Sequence, residues 1–257
     1  MQMRKRRTLK PQIIVLIAAI MFGGFAVTLR PSPPVGTNTA MLHQLSQPIH
    51  PPTPPAPPID CTRTPCVALT FDDGPNPITT PQILDILEKQ QVHASFFVVG
   101  MRAATMPHLL QRMYHDGDEI GNHSWNHPDL TTISPEQIQA QVAQTQMAVM
   151  AAGVPAPSLF RPPYGSLNAE VRSNIPMTIA MWNIDPLDWN TKDPNAIVAN
   201  VAHGAKPGGI IDMHDIYPQT VAALPGVLQD LKSRYQLVTM SQLLNLAPGQ
   251  RGEYFGR

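Results

Sequence analysis

From residue 60 onward the chain alternates short apolar runs with longer stretches whose apolar residues recur every three or four positions. Residues 67–71, 94–99, 159–161, 177–182 and 210–213 have the length and composition of buried strands. Residues 81–89, 107–115, 135–152, 196–203 and 221–234 read as helices. Ser134 ahead of Pro135, with Gln137 three positions after Ser134, is the signature of a capped helix start. Strands and helices in alternation predict a parallel sheet covered by helices. The polar exceptions fall in one kind of place, directly after an apolar run: Asp72 and Asp73, then His123 and His127 after the short "EIGN", Arg161, Asp185 and Asp188 after "IAMWNI", and His214 after "GGIIDM". Parallel strands of an α/β protein gather their site at those carboxyl ends. About 190 residues is short for eight regular β/α units, which favours a barrel with fewer or distorted units. No internal repeat is present.

The first sixty residues follow other rules. Arg4, Lys5, Arg6, Arg7 and Lys10 precede an apolar run over residues 13–29, broken only by Gly23, Gly24 and Thr28 and followed by Arg30. That order predicts a signal peptide or N-terminal membrane anchor over residues 1–30. With no small-x-small cleavage site after Leu29 and no lipobox cysteine, an uncleaved anchor with its basic end inside is the favoured form, and cleavage would leave a secreted one. Residues 31–59 carry ten prolines and almost no apolar periodicity, the composition of an extended linker that lifts a domain off a surface. A catalytic domain is expected over 60–250 and a short tail over 251–257.

Charge and cysteine content sharpen this division. Formal charge over the whole chain is zero, but without the six basic residues of the leader 12 Lys and Arg remain against 18 Asp and Glu. An acidic outer part carries no electrostatic footprint for nucleic acid. The two cysteines, Cys61 and Cys66, open the folded region; in an exported chain they most simply close a short disulfide loop, and two thiolates without further ligands are too few for structural zinc.

The candidate chemistry is ambiguous when each piece is taken singly. "HSWNH" spaces His123 and His127 as on one face of a helix, yet Gly121, Asn122, Asn126 and Pro128 argue for a loop, where the two rings either hydrogen-bond locally or converge on one ion. "TFDDGP" is either tight-turn composition or a pair of carboxylates with separate jobs, Asp73 joining the imidazoles on a cation and Asp72 taking a proton from water beside it. Arg161 in "RPPYG" is either a surface ion pair or the group that holds Asp72 ionised. "DPLDW" and "IIDMHD" supply carboxylates and a histidine suited to an Asp-tuned imidazolium.

Taken together and in order, "TFDDGP", "HSWNH", "RPPYG", "DPLDW" and "IIDMHD" closely resemble the five motifs of the polysaccharide deacetylase family, carbohydrate esterase family four, over residues 65–245. The resemblance implies a distorted (β/α) barrel of seven or eight units and a divalent metal, zinc first and cobalt second. It implies Asp72 as general base; Asp73, His123 and His127 as metal ligands; and Arg161 as the holder of the base. His214 would be the acid that protonates the departing amine, tuned by Asp188 in preference to Asp185. The backbone N–H of Tyr164 would face the oxyanion, and Trp189, Tyr164 and Pro162 would line the substrate pocket. The implied reaction is hydrolysis of N-acetyl groups on an extracellular aminosugar polymer, peptidoglycan or chitin-like, by a monomer outside the membrane. An O-acetyl polysaccharide esterase is the alternative within the same chemistry. A non-catalytic carbohydrate-binding protein is the alternative from another class, and the presence of every base, ligand and acid argues against it. One position departs from the family's pattern: Asp212, two before His214, stands where an apolar residue usually packs on the acetyl methyl. A carboxylate there disfavours an apolar pocket unless it is paired or turned away.

Overall fold

The computed structural model describes residues 59–247 and 249–256. The expected leader, and the linker as far as residue 58, lie outside the described residues. Among those described, no helix is long and apolar enough to cross a membrane.

Eight parallel strands form one sheet in the order β6-β1-β2-β3-β4-β5-β8, and β7 pairs beside β2 on the same edge of β1. They are β1 (Cys66–Asp72), β2 (Ser95–Val98), β3 (Glu119–Asn122), β4 (Leu159–Phe160), β5 (Thr178–Ala180), β6 (Gly209–His214), β7 (Gln236–Val238) and β8 (Glu253–Tyr254). β1 is the hub. Its first half pairs with β7 (Cys66 opposite Gln236), its second half with β2 (Thr70 opposite Ser95), and its other edge with β6 throughout. Beyond β5 the chain swings back to β6, where Ile184 bridges Ile211 and its carbonyl accepts the Asp212 N–H at 2.9 Å. The sheet therefore curls almost shut, which is the distorted (β/α) barrel that the sequence motifs imply.

The helices are α1 (Thr79–Gln90), α2 (Gly100–Thr105), α3 (Pro107–Asp116), α4 (Pro135–Ala151), α5 (Ala169–Asn174), α6 (Pro194–Gly204), α7 (Pro218–Lys232) and α8 (Met240–Leu244). The Ser134–Gln137 capping box opens α4 as its sequence predicts. A disulfide joins Cys61 to Cys66 at the foot of β1.

Strand alternation explains how one strand serves both core and site. Val67, Leu69 and Phe71 point outward into a cluster with Ile83, Leu84 and Leu87 of α1 and Leu224, Val227 and Leu228 of α7, all essentially without solvent contact. Each such side chain contributes about 1.5–3 kcal/mol of burial. Ala68, Thr70 and Asp72 then point into the barrel, because successive side chains alternate between faces. β6 behaves likewise, with Ile211 and Met213 outside and Ile210, Asp212 and His214 inside. The register sets Thr70 opposite Asp212 and Asp72 opposite His214, so the inner wall turns from apolar at its foot to charged at its carboxyl end.

Candidate active site

The Asp72–Asp73 pair is divided by the backbone. Asp72 ends β1 facing inward, whereas Asp73 enters the left-handed region (φ 74°) and directs its carboxylate elsewhere. The turn that follows is locked from below. The Asp215 N–H donates to the Asp72 carbonyl at 3.3 Å, and the Thr79 hydroxyl donates to the Asp215 carbonyl at 2.5 Å. The Asp215 carboxyl lies directly under Gly74, where a Cβ would come within 2.1 Å of its oxygen, so only glycine fits there. Thr80 donates to Asp215 Oδ2, and burial raises the pKa of this carboxyl to about 7.

His123 and His127 come together in a loop rather than on a helix, as their glycine and proline neighbours predict. His123 extends β3 and is buried. The loop beyond it is tied down by Asn122 Oδ1, which accepts from the Ser124 N–H, by Ser124 Oγ, which accepts from the His127 N–H, and by Gln141 of α4, which accepts from the Trp125 N–H. Asp73 Oδ1 lies 3.1 Å from His127 Nε2 and 3.5 Å from His123 Nε2. Two donors about 2.1 Å from one ion at a tetrahedral angle are about 3.4 Å apart, so the spacing fits a single zinc-sized cation. The tautomer fits too. His123 Nδ1 lies 2.7 Å from the Arg161 carbonyl, which can only accept, so Nδ1 carries the proton and Nε2 presents its lone pair. Burial lowers the His123 pKa against the pull of Asp72 and Asp73, which keeps the ring neutral as a ligand must be. Burial opposes ionisation of Asp73, but its hydrogen bond to His127 and the nearby imidazoles outweigh that and hold the carboxyl below the ordinary range. Among the described residues, Asp73, His123 and His127 are the group able to hold a metal ion.

Arg161 is fully buried at the end of β4. Its Nη1 donates to Asp72 Oδ1 at 2.8 Å, its Nε donates to the Ala180 carbonyl at 2.8 Å, and its plane lies 4.1 Å from the centre of the Phe97 ring. Asp72 Oδ2 is left on the other side, 3.6 Å from His123 Nε2. Asp212 is turned away from the cavity onto the same guanidinium, with Oδ1 2.7 Å from Nη1. The pairing removes the conflict that its sequence position raises.

The two aspartates of "DPLDW" separate cleanly. Asp188 is fully buried; its Oδ1 accepts from His214 Nδ1 at 2.9 Å, and its Oδ2 accepts from the His214 N–H at 2.8 Å and the Thr220 hydroxyl at 2.6 Å. Asp185 instead faces the Trp189 indole N–H at 3.3 Å. Burial works against a charged His214 ring, but the Asp188 contact outweighs it and raises the pKa to about 10. At the rim, Tyr164 (φ 59°) sets its ring edge-on to His127 at 4.6 Å, while Trp189 and Tyr164 remain largely exposed. Pro162 leads into the 3-10 turn that carries Tyr164.

Several partners are not foreseen from sequence. Thr70, Thr220 and Gln219, which hold Arg161, Asp188 Oδ2 and the Asp188 carbonyl respectively, are ordinary residues in a strand and a helix start. Arg102 of α2 donates to the Asp73 carbonyl at 3.0 Å. Only register and docking bring them to the site. Asp215 does leave a signal, as a third acidic residue beside His214 and Asp212.

A curled parallel barrel with two imidazoles and a carboxylate converging at the carboxyl ends of its strands has the layout of a candidate catalytic metal site. The chain belongs to the polysaccharide deacetylase family, whose sequence pattern matches residues 59–176. It is 46% identical over 178 residues to peptidoglycan-N-acetylmuramic acid deacetylase PdaC of Bacillus subtilis, covering 69% of this chain and 38% of PdaC. The chain thus spans well under half of that relative's length. It is 37% identical to the chitooligosaccharide deacetylase of Sinorhizobium fredii, covering 67% of this chain and 88% of the relative. Among solved structures it resembles a family 4 acetyl xylan esterase from Clostridium thermocellum in complex with a cobalt ion, with TM-score 0.69 and 35% identity, covering 74% of this chain and 98% of the other.

Proposed function

We propose that residues 60–250 form a metal-dependent hydrolase that removes N-acetyl groups from an extracellular aminosugar polymer, peptidoglycan or chitin-like, and releases acetate. The observation that carries this reading is the division of labour at one turn: Asp73 points at two imidazoles while Asp72, one residue earlier, has one oxygen fixed by Arg161 and the other free. Similarity to PdaC and to a chitooligosaccharide deacetylase supports the substrate class. The Cys61–Cys66 disulfide supports an oxidising compartment, with the leader as anchor or signal.

A divalent cation held by Asp73, His123 and His127, zinc by its donor set and cobalt as the alternative, would polarise the acetyl carbonyl and acidify water beside it. Asp72 accepts the proton of the attacking water at Oδ2, its orientation fixed through Oδ1 by Arg161. The Tyr164 N–H, offered by a left-handed backbone beside His127, stabilises the oxyanion. His214 delivers a proton from Nε2 to the departing amine, because Nδ1 is engaged by Asp188. Trp189, Tyr164 and Pro162 wall the acetyl group.

The His214 pKa of about 10 gives a signed prediction. The ring is protonated at neutral pH in the wild type, and its charge contributes stability that is complete below about pH 6.5 and lost as pH rises toward 10. Asp188→Asn should lower kcat about 100-fold and move the alkaline fall in activity to lower pH. A pH–rate profile checks it; an unmoved alkaline limb would remove Asp188 from this role.

An O-acetyl polysaccharide esterase is the second reading, supported by the likeness to the acetyl xylan esterase. Acetate release from an N-acetylglucosamine oligomer, peptidoglycan and acetylxylan, compared at equal acetyl concentration, separates the two. Release from acetylxylan alone would overturn the N-deacetylase reading, and release from none of the three would overturn both.

A further inference from the structure

Most arginines of the domain already have an acidic partner: Arg112, Arg161, Arg172 and Arg234 each meet a carboxylate. Arg63 and Arg251 meet none among the described residues, but they precede β1 and β8 and so lie at the amino ends of the strands, away from the site. Arg102 stands at the other end. It follows β2, in α2, is exposed, and has no carboxylate partner among the described residues. Its Nη1 donates to the Asp73 carbonyl at 3.0 Å, while Nε and Nη2 donate to no group among the described residues. That bond fixes where the open edge of the guanidinium stands, because the Asp73 carboxylate belongs to the metal-binding group. Tyr217, with its ring 5.7 Å from that of His214, marks the same side: burial chiefly raises its pKa, Asp73 and Asp188 add to the rise, and Arg102 opposes it.

Across the site the charge is reversed. On the curled sheet β2 lies opposite β5, with β3 and β4 between them on one side and β1 and β6 on the other. The loop after β5 carries the exposed Asp185 and Trp189, whose indole N–H faces Asp185 at 3.3 Å. Lys192 and Asp193 follow it as neighbours of opposite sign, which leaves that loop acidic. A glycan laid across the site therefore meets a cation at one end and an aromatic face beside a carboxylate at the other. A neutral aminosugar chain gains nothing from this polarity, whereas a chain bearing carboxylates is oriented by it.

We infer that Arg102 binds a carboxylate carried by an N-acetylmuramic acid unit whose acetyl group is the one removed, which selects peptidoglycan strands over a neutral chitin-like chain. The inference rests on the deacetylase reading and names its substrate. In muramic acid the lactyl ether stands on the ring carbon next to the one that bears the acetamide, so carboxylate and acetyl group travel together. Arg102 and the metal-binding group are coupled in the same way, through the two ends of Asp73. The open Nε–Nη2 edge is a planar fork that matches the two oxygens of a carboxylate. That carboxylate belongs to the bare lactyl group or to the stem peptide attached to it, both on the same sugar. Trp189, on the far side, takes the uncharged face of the neighbouring sugar.

The test uses the zinc-loaded full chain with chitotetraose, a muramic acid-containing tetrasaccharide without stem peptides, and the same tetrasaccharide with them. By acetate release, kcat/KM of the wild type should favour a muramic substrate over chitotetraose about tenfold or more, as a charge-assisted pair of hydrogen bonds gives. Arg102→Gln should bring that ratio to within about twofold of one, and Arg102→Lys, which keeps the charge and loses the fork, should fall between. Arg102 also braces Asp73, so absolute rates will change, but a disturbed metal site slows every substrate alike and leaves the ratio where it was. A wild-type ratio near one, an Arg102→Gln ratio equal to the wild type, or an equal fall in Lys192→Gln would overturn the proposal. So would new amines confined to glucosamine units, read by mass spectrometry of the products. The muramic substrate with the larger ratio identifies the lactyl group or the stem peptide as the source of the anion. Calorimetric binding of the same glycans keeps the two readings apart. A wild type that releases no acetate from any of them sinks the deacetylase reading, and Arg102 is then decided by affinity: a preference for muramic glycans lost in Arg102→Gln upholds its role, and no such preference overturns it.

Discussion

Asp72→Asn is expected to abolish turnover, by about a thousandfold or more, while the protein binds its metal as tightly as wild type. The amide is nearly isosteric and still accepts from Arg161 Nη1, so β1, the turn and the Asp73–His123–His127 group should stay in place. What disappears is a proton acceptor at the position of Oδ2. Asp73→Asn should be inactive for a different reason. It substitutes a poor ligand at the carboxylate that lies closest to both imidazoles, so metal affinity falls and added zinc or cobalt restores part of the rate. A chelator should silence the wild type reversibly. Metal content by mass spectrometry alongside acetate release separates the two neighbours; a fully active Asp72→Asn would remove Asp72 as the base.

Arg161→Met carries the second large effect, on folding as much as on rate. Methionine fills much of the space beside Phe97 but leaves Asp72 and Asp212 buried without their common cation. Removing one partner of a buried ionic group costs about 3–5 kcal/mol, or roughly 10 °C in melting temperature for a domain of this size. The sign of its pH dependence follows. A buried carboxylate that has lost its cation costs most in its charged form, so the gap to wild type widens from acid to neutral pH. Thermal melting at pH 5 and pH 8 measures this. A loss under about 2 °C at pH 8 would mean that the guanidinium does not neutralise the pair.

Much of this architecture is legible along the chain because burial writes it in periodicity. The outward residues of β1, Val67, Leu69 and Phe71, and the long helices α1, α3, α4, α6 and α7 carry patterns strong enough to read directly. The short elements do not. β7, β8, α2, α5 and α8 are held by pairing and docking rather than by any local preference, and fewer than seven residues establish no period. The motifs point to the site residues by position, but their distances come only from the fold. The choice between Asp185 and Asp188 is an instance: three positions apart in one loop, one meets His214 and the other the Trp189 indole. Asp212 is another, since sequence marks it as out of place and only the register across β1 shows it reaching Arg161.

The loops that carry the site share one further trait. Asp73, Ser124, His127, Tyr164 and Leu187 all hold left-handed backbone conformations, and none is glycine. Each L-residue in that region costs about 1–2 kcal/mol relative to the right-handed one, least for Asp and His. Glycine at Tyr164 would relieve the backbone while removing the ring that lies edge-on to His127. Heat selection without an activity screen would therefore enrich changes at the mouth of the cavity ahead of the core, yielding sturdier barrels that have forgotten their substrate.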